Sequence, residues 1–269
     1  MKKTPEPCRR RRLLLLVPLL LAVPVHAAQN RDARVTQIVR DVRVLPPHAA
    51  ARAAAINETV ANGTGVRTGS DSRAELTFTD LSITRLGANT IFSFDQANRN
   101  LSLTSGAVLI CVPPEAGSVR ISTPAVSAAI TGGIAMVEAH RNAWIKIIVL
   151  EGRGVITLKR SGRMLTLHAG EMIVLSPGAK EFGTVQNIDL DKLTNNSLLI
   201  RFARLPSWVA RLIDTQIANQ QSSPPPGGLV DPTGFDAIDQ RAAVLSQSTP
   251  PARRTGPQPS PPRRPPGTK

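Results

Sequence analysis

Residues 63–90 read GTGVRTGSDSRAELTFTDLSITRLGANT, and the alternation inside this stretch decides the fold class. Glycines stand at 63, 65, 69 and 87, where chain reversals and left-handed backbone are least costly. Between them Ala74, Leu76 and Phe78 share one side of an extended segment, while Arg73, Glu75, Thr77 and Thr79 share the other. Asp80 is placed to close a turn with its carboxylate on nearby N–H groups, and Leu81, Ile83 and Leu86 carry the returning strand. The unit is a β-hairpin with one apolar and one polar face.

The same texture extends in both directions. Upstream, Val35, Gln37 and Val39 with Val42 and Val44 predict a first strand pair that Pro46-Pro47 ends. Ala49–Ala55 is either one helical turn or an extended connection. Downstream, apolar alternation recurs at intervals of about ten residues, with Gly, Pro, Asn or Asp between the runs. Val126, Ala128 and Ile130 read as a strand ended by Gly132-Gly133, and Ile134 and Met136 as the start of another. Ile145, Ile147 and Val149 end at Glu151-Gly152, and Val155 and Thr157 follow. The predicted class is all-β: many short, mainly antiparallel strands in a sandwich, roll or solenoid-like stack. No helical pattern intervenes between these strands, which argues against βαβ units.

Val66, Thr68, Gly69, Ser72, Arg73, Ala74, Leu76, Phe78, Asp80, Ser82, Arg85, Leu86 and Gly87 stand in the order of the central motif of the FecR domain family, which this chain resembles. Thr123-Pro124-Ala125 leading to Ile130-Thr131-Gly132-Gly133, then Val149-Leu150-Glu151-Gly152 before Val155, and finally Leu167, Ala169, Gly170 and Glu171, extend the resemblance over residues 35–178. Gly69, Arg73, Asp80, Gly87, Gly132, Glu151, Gly152 and Gly170 are its structural motif positions. One departure is Gly132-Gly133, where the family usually has Gly-Thr. The resemblance implies an all-β periplasmic module. In its best-known setting the family passes a signal from an outer-membrane receptor to a cytoplasmic sigma factor, through a membrane helix and an N-terminal anti-sigma segment. Only twelve residues precede the apolar run here, so the expectation is a stand-alone exported domain without that segment.

Four segments are predicted. Residues 1–27 read as a signal peptide: Lys2, Lys3 and Arg9–Arg12, then the apolar run Leu13–Val25, then Val25-His26-Ala27 as the cleavage site. The apolar run is short of the about 20 residues that a membrane-spanning helix needs. A membrane-retained sensor is the alternative. Residues 28–188 form the β domain. Residues 189–221 read as a helical pair, roughly 191–204 and 207–220, broken at Pro206, with Ser207 able to cap the second helix. The pair either packs its apolar stripe on the β domain or docks a partner. Residues 222–269 read as a Pro/Arg-rich linker and disordered tail, with a weak helix at Phe235–Leu245.

The net charge is +14, of which +5 lies in residues 1–27 and +6 from Gln240 onward, leaving +3 for 28–239. Basicity therefore belongs to the two ends, which removes the support for nucleic acid as a partner. It leaves a tail able to make peripheral contact with an anionic envelope surface. Beyond the signal, Cys111 is the single cysteine. It is read as a buried thiol or, alternatively, as an intermolecular disulfide or reactive thiol.

No spacing of histidines or cysteines signals a metal, no nucleotide loop is present, and no cofactor is expected. Asp71, Glu75 and Asp80 are close in sequence, and an envelope hydrolase using such carboxylates is the runner-up reading. The simpler reading has Asp71 and Asp80 capping turns and Glu75 solvated or paired with Arg73. Arg67, Arg73 and Arg85 are expected to form a basic face. Trp144, opening a strand after a turn, is the best candidate for an exposed aromatic on this face, although burial is the favoured reading for it. The expected function is non-enzymatic: a periplasmic binding, scaffold or sensory module facing an unidentified envelope protein or anionic envelope component.

Overall fold

A computed structural model of the chain describes residues 32–95 and 99–232. The signal segment 1–27, the turn residue Asn98, the Phe235–Leu245 helix and the tail beyond Gly234 lie outside the described residues.

Alternation produces the strands where it was expected, and a single hydrogen-bonded sheet of fifteen strands contains them. The first eight are β1 Ala33–Val39, β2 Val42–Leu45, β3 Arg52–Ala53, β4 Thr59–Val60, β5 Gly65–Thr68, β6 Arg73–Phe78, β7 Ile83–Leu86 and β8 Ile91–Asp95. The others are β9 Asn100–Val112, β10 Ser118–Ser122, β11 Val126–His140, β12 Trp144–Leu158, β13 Met164–His168, β14 Glu171–Leu175 and β15 Gln186–Asn187. The Ala49–Ala55 connection is extended and contributes β3. β1 and β2, expected to pair, do not: β1 pairs with β4 and β6, β2 with β3 and β5.

Three strands are longer than predicted, at 13, 15 and 15 residues for β9, β11 and β12. Each is shared between two rows of strands. One row runs β15-β14-β12-β11-β9-β7-β6-β1-β4. The other runs β13-β12-β11-β10-β9-β8-β5-β2-β3, and its β9–β10 pairing is parallel while the rest are antiparallel. Buried residues of both rows form one apolar cluster, including Val35, Leu76, Phe92, Leu103, Ile121, Ile130 and Ile147.

Glycine is what lets one strand serve both rows. Gly132-Gly133, read in sequence as a strand end, is instead an irregularity inside β11. Thr131 pairs with Arg153 and Ile134 with Glu151, so the glycine pair lies opposite Gly152. The extra residue flips the side-chain alternation. Val126, Ala128 and Ile130 face the core before it, and Ala135, Val137 and Ala139 after it. A Cβ on Gly133 would lie 2.4 Å from the Glu151 carbonyl oxygen, so the backbones cross too closely for any side chain.

The central hairpin forms as expected, with Ala74 opposite Leu86 and Thr77 opposite Ile83. At its turn Asp80 Oδ1 accepts the Ser82 N–H at 3.0 Å, and Leu81 adopts φ 63°. Its second face is a surprise. Beside the buried Ala74 and Leu76, both Glu75 and Arg85 are buried too.

The helical segment explains this. It comprises α1 Leu190–Asn196, α2 Leu198–Arg201 and α3 Ser207–Ser222. The predicted single helix over 191–204 is split at Ser197, which is extended at φ −70° and ψ 120°, after two asparagines that compete for backbone hydrogen bonds. Asp189 caps α1 by accepting the Lys192 N–H, whereas Ser207 is the first residue of α3 and makes no side-chain cap. Leu190, Leu193, Leu199, Ile200, Val209 and Ile213 pack with Ile83, Leu109, Cys111, Met136 and Ile148 as a second apolar cluster, between the helices and the first row. The chain then returns to the sheet edge. Val230 donates to the Asn187 carbonyl at 2.8 Å, and Asp189 donates to the Val230 carbonyl at 3.0 Å. Order therefore continues past Gln221, where the sequence reading had ended the folded part.

Cys111 lies wholly buried in the second cluster, and burial pushes its thiol up to about 12. A buried, protonated thiol is neither nucleophile nor bridge, which excludes the intermolecular disulfide and reactive-thiol readings for the folded chain. Iodoacetamide at pH 8 is expected to leave the Cys111 peptide unmodified in native protein and to modify it in denaturing urea, as read by peptide mass mapping. Modification of native protein at the denatured rate would show that β9 opens readily.

Candidate functional site

The residues singled out in the sequence do not form one surface. Arg67 is exposed on β5, directly across from Arg43 on β2. Arg73 is half-buried on β6. Arg85, expected on the same basic face, is 0% exposed. Its Nε donates to Glu75 Oε2 at 2.8 Å, its Nη1 to the carbonyls of Leu199 and Ile200, and its Nη2 to that of Arg204. The Phe202 ring centroid lies 5.0 Å from its guanidinium carbon. These carbonyls belong to the last turn of α2 and the chain just beyond, where helix geometry leaves acceptors unsatisfied. Arg85 is thus an internal clamp between the hairpin and the helices.

Glu75 is neither solvated nor paired with Arg73. Beyond its bond from Arg85, its Oε1 accepts the Thr36 hydroxyl at 2.8 Å. Asp71 is exposed, at φ 51°, and pairs with Arg40 at 3.1 Å. Asp80 pairs with Arg99 at 2.8 Å. Asp71 and Asp80 flank opposite ends of the six-residue β6, so at about 3.3 Å per residue some 17 Å of strand separates them. A carboxylate pair for hydrolysis stands within about 10 Å, and these side chains do not converge.

Trp144 is buried rather than exposed, at 7%. The His140 ring lies 4.1 Å from it, centroid to centroid, and Lys146 Nζ lies 4.7 Å from its ring centroid. His140 and Trp144 are partners across the β11–β12 hairpin, as are Glu138 and Lys146. The alternation puts all four on the face that the helices partly cover.

That face holds a cavity of about 730 Å³, bounded by the ends of α1 and α2 and by the sheet. Leu193, Ser197, Leu198 and Leu199 supply one wall, Gly87–Asn89 and Ser105–Val108 a second, and Met136–His140 the floor, with Arg73 and Pro232 also lining it. Glu138 is 4% exposed; its Oε1 meets His140 Nε2 at 2.7 Å, and its Oε2 has no hydrogen-bond partner among the described residues. Leu198, counted in the sequence as part of the packed stripe, is 59% exposed. Sequence reasoning missed Glu138 and His140 because neither sits in a motif. The one available signal was a Glu-x-His alternation inside an otherwise apolar strand. No group of three or more potential metal ligands occurs among the described residues.

Of the motif positions, Gly69, Gly87 and Gly170 lie at turns or strand ends, and Glu151 sits beside the β11–β12 crossing. Its Oε2 has no hydrogen-bond partner among the described residues, and burial raises its pKa from the ordinary carboxyl value. A raised carboxyl pKa means that the folded state holds the proton more tightly, so stability falls as pH climbs through the interval between the ordinary and the raised value. Glu151→Gln is therefore expected to be at least as stable as the parent at pH 7. The difference should vanish on acidification below the ordinary range, at about pH 4. Urea unfolding at both pH values checks this, and a Gln variant less stable at pH 7 would show that the carboxylate has a native partner.

Fold and site together define an all-β domain roofed by three helical segments, tied to them by a buried arginine. Residues 64–153 match the family model described as FecR protein. The match is narrower than the resemblance read over 35–178, and the helices that Arg85 clamps lie beyond it. No curated protein matches the chain. Two crystal structures from Parabacteroides distasonis, each described as a provisional anti-sigma factor, are similar to it with a TM-score of 0.42. The 2.50 Å structure is 17% identical, with 48% of this chain and 62% of that one covered. The 1.65 Å structure is 16% identical, with 58% and 75% covered. The chain thus spans less than two-thirds of the first of these. No helix among the described residues is long and apolar enough to cross a membrane.

Proposed function

We propose that the chain is an exported, non-enzymatic recognition or sensory module of the cell envelope, acting by protein–protein or envelope-ligand contact. The FecR match over residues 64–153 carries this reading, because the family's role is regulatory signalling. Export rests on the basic run, apolar core and small-residue site of residues 1–27. The contact surface is the exposed Arg43–Arg67 cross-strand pair. Like charges set directly opposite disfavour a strand pair; Asp41 already pairs with Arg43 at 3.1 Å, and an anionic partner offsets what repulsion Arg67 retains. The Arg-rich tail adds peripheral attraction to anionic surfaces.

In-cell crosslinking of the full chain, followed by mass spectrometry, tests the proposal. Parent protein should capture a specific envelope protein, and Arg43→Glu/Arg67→Glu should lose it while still unfolding cooperatively. Capture that depends only on the tail's six cations would move recognition off the β domain. Recovery of the protein in the cytoplasm with Met1 intact would overturn export. Turnover of an envelope polymer by purified protein would overturn the non-enzymatic assignment.

A further inference from the structure

Glu138 lines the cavity beneath α1 and α2, and its Oε2, buried at the wall, has no hydrogen-bond partner among the described residues. Glu138 is more than nine-tenths buried. One oxygen is engaged by His140 at 2.7 Å and the other accepts nothing. Buried carboxylate oxygens are ordinarily hydrogen-bonded, and one without a donor in a cavity is an incomplete half of an interaction. Two cations lie near and neither donates to this oxygen. Arg73 is half-buried in the cavity lining, and Lys146 holds its ammonium against the Trp144 ring at 4.7 Å.

The rest of the cavity is built for an apolar body. Leu193, Leu198 and Leu199 line it from the helices and Ala107 and Met136 from the sheet, with Asn89, Ser105, Asn196 and Ser197 as polar parts of the wall. Leu198 leaves 59% of its surface exposed beside it. At about 730 Å³ it falls within the ~300–1,000 Å³ typical of small-molecule sites. A chamber with a leucine-lined wall and one buried, unsatisfied anionic acceptor suits a ligand with a positively charged N–H head and a hydrocarbon stem.

We propose that this cavity binds a small alkylammonium compound, the ammonium donating to Glu138 Oε2 and the alkyl chain lying along Leu193, Leu198 and Leu199. The probes are n-hexylammonium and hexanoate, which share a stem and differ in the sign of the head. Titrated into the full-length protein and followed by amide resonances, hexylammonium should saturably shift Met136–His140 and Ser197–Leu199. Its affinity should exceed that of hexanoate by about tenfold or more, the scale of one charge-assisted hydrogen bond. Glu138→Gln should erase this preference. Leu198→Ser, at an exposed position that the fold does not need, should weaken the alkyl ligand while keeping the order of the two heads. Equal or tighter hexanoate binding, shifts elsewhere, no binding of hexylammonium, or a preference that survives Glu138→Gln would each overturn the assignment.

Discussion

Arg85→Met is expected to destabilise the protein by about 3–5 kcal/mol, the range seen when one partner of a buried ion pair is removed. The loss has two parts. Glu75 is left as a buried carboxylate without its cation, and the carbonyls of Leu199, Ile200 and Arg204 lose their donor. Methionine fills much of the volume and keeps the apolar contacts, so the change reports on charge and hydrogen bonding rather than on a cavity. Urea unfolding measures the total. Hydrogen exchange locates it, since amides of α1 and α2 should lose protection before those of β11 and β12. The double variant Glu75→Gln/Arg85→Met should be less destabilised than the sum of the single changes, because removing both charges avoids the orphaned carboxylate. A loss under about 1 kcal/mol, the size of an exposed pair, would show that the helices are held by their apolar stripe alone.

Gly152→Ala should cost about 3 kcal/mol or more. Gly152 has φ 78°, where a side chain alone costs roughly 1–2 kcal/mol. A Cβ would also stand 2.6 Å from the Gly132 carbonyl oxygen and 3.1 Å from Gly133 Cα, both backbone atoms that cannot rotate away. Gly63 isolates the two effects. Its φ is 75°, yet nothing lies within 4 Å of its Cβ position, so Gly63→Ala should show only the conformational part. Thermal or urea unfolding of the two variants gives the overlap energy by difference. Equal losses would mean that the β11–β12 crossing relaxes, and that the close approach does not constrain it.

These two sites also show where sequence reading reached and where it stopped. Alternation at period two placed Ala74, Leu76 and Phe78 in the core and the returning strand opposite them, because that pattern is a local property of extended chain. The same pattern marks a polar face without saying what covers it. Arg85 reads as a surface residue because its carbonyl partners in and just beyond α2 lie up to 119 positions further along the chain, and Glu75 because it is buried only with Arg85 and Thr36 beside it. Gly132-Gly133 read as a strand end because glycine permits both a stop and a bend. The presence of Gly152 opposite makes it a bend. The turn before Trp144 left exposure open beside the favoured burial, and it is buried, with His140 and Lys146 packed on it. The cavity at Glu138 was illegible for the same reason: no spacing in β11 reveals that α1 and α2 end above it.

The sequence by itself determined the all-β class, the positions of most strands and turns, and the FecR motif, since each rests on neighbours a few residues apart. Tertiary structure alone decided which polar residues are buried, which glycines bend strands, and where a cavity opens. Those outcomes depend on elements from twenty to more than a hundred residues apart meeting in space, where burial turns a solvated charge into a clamp.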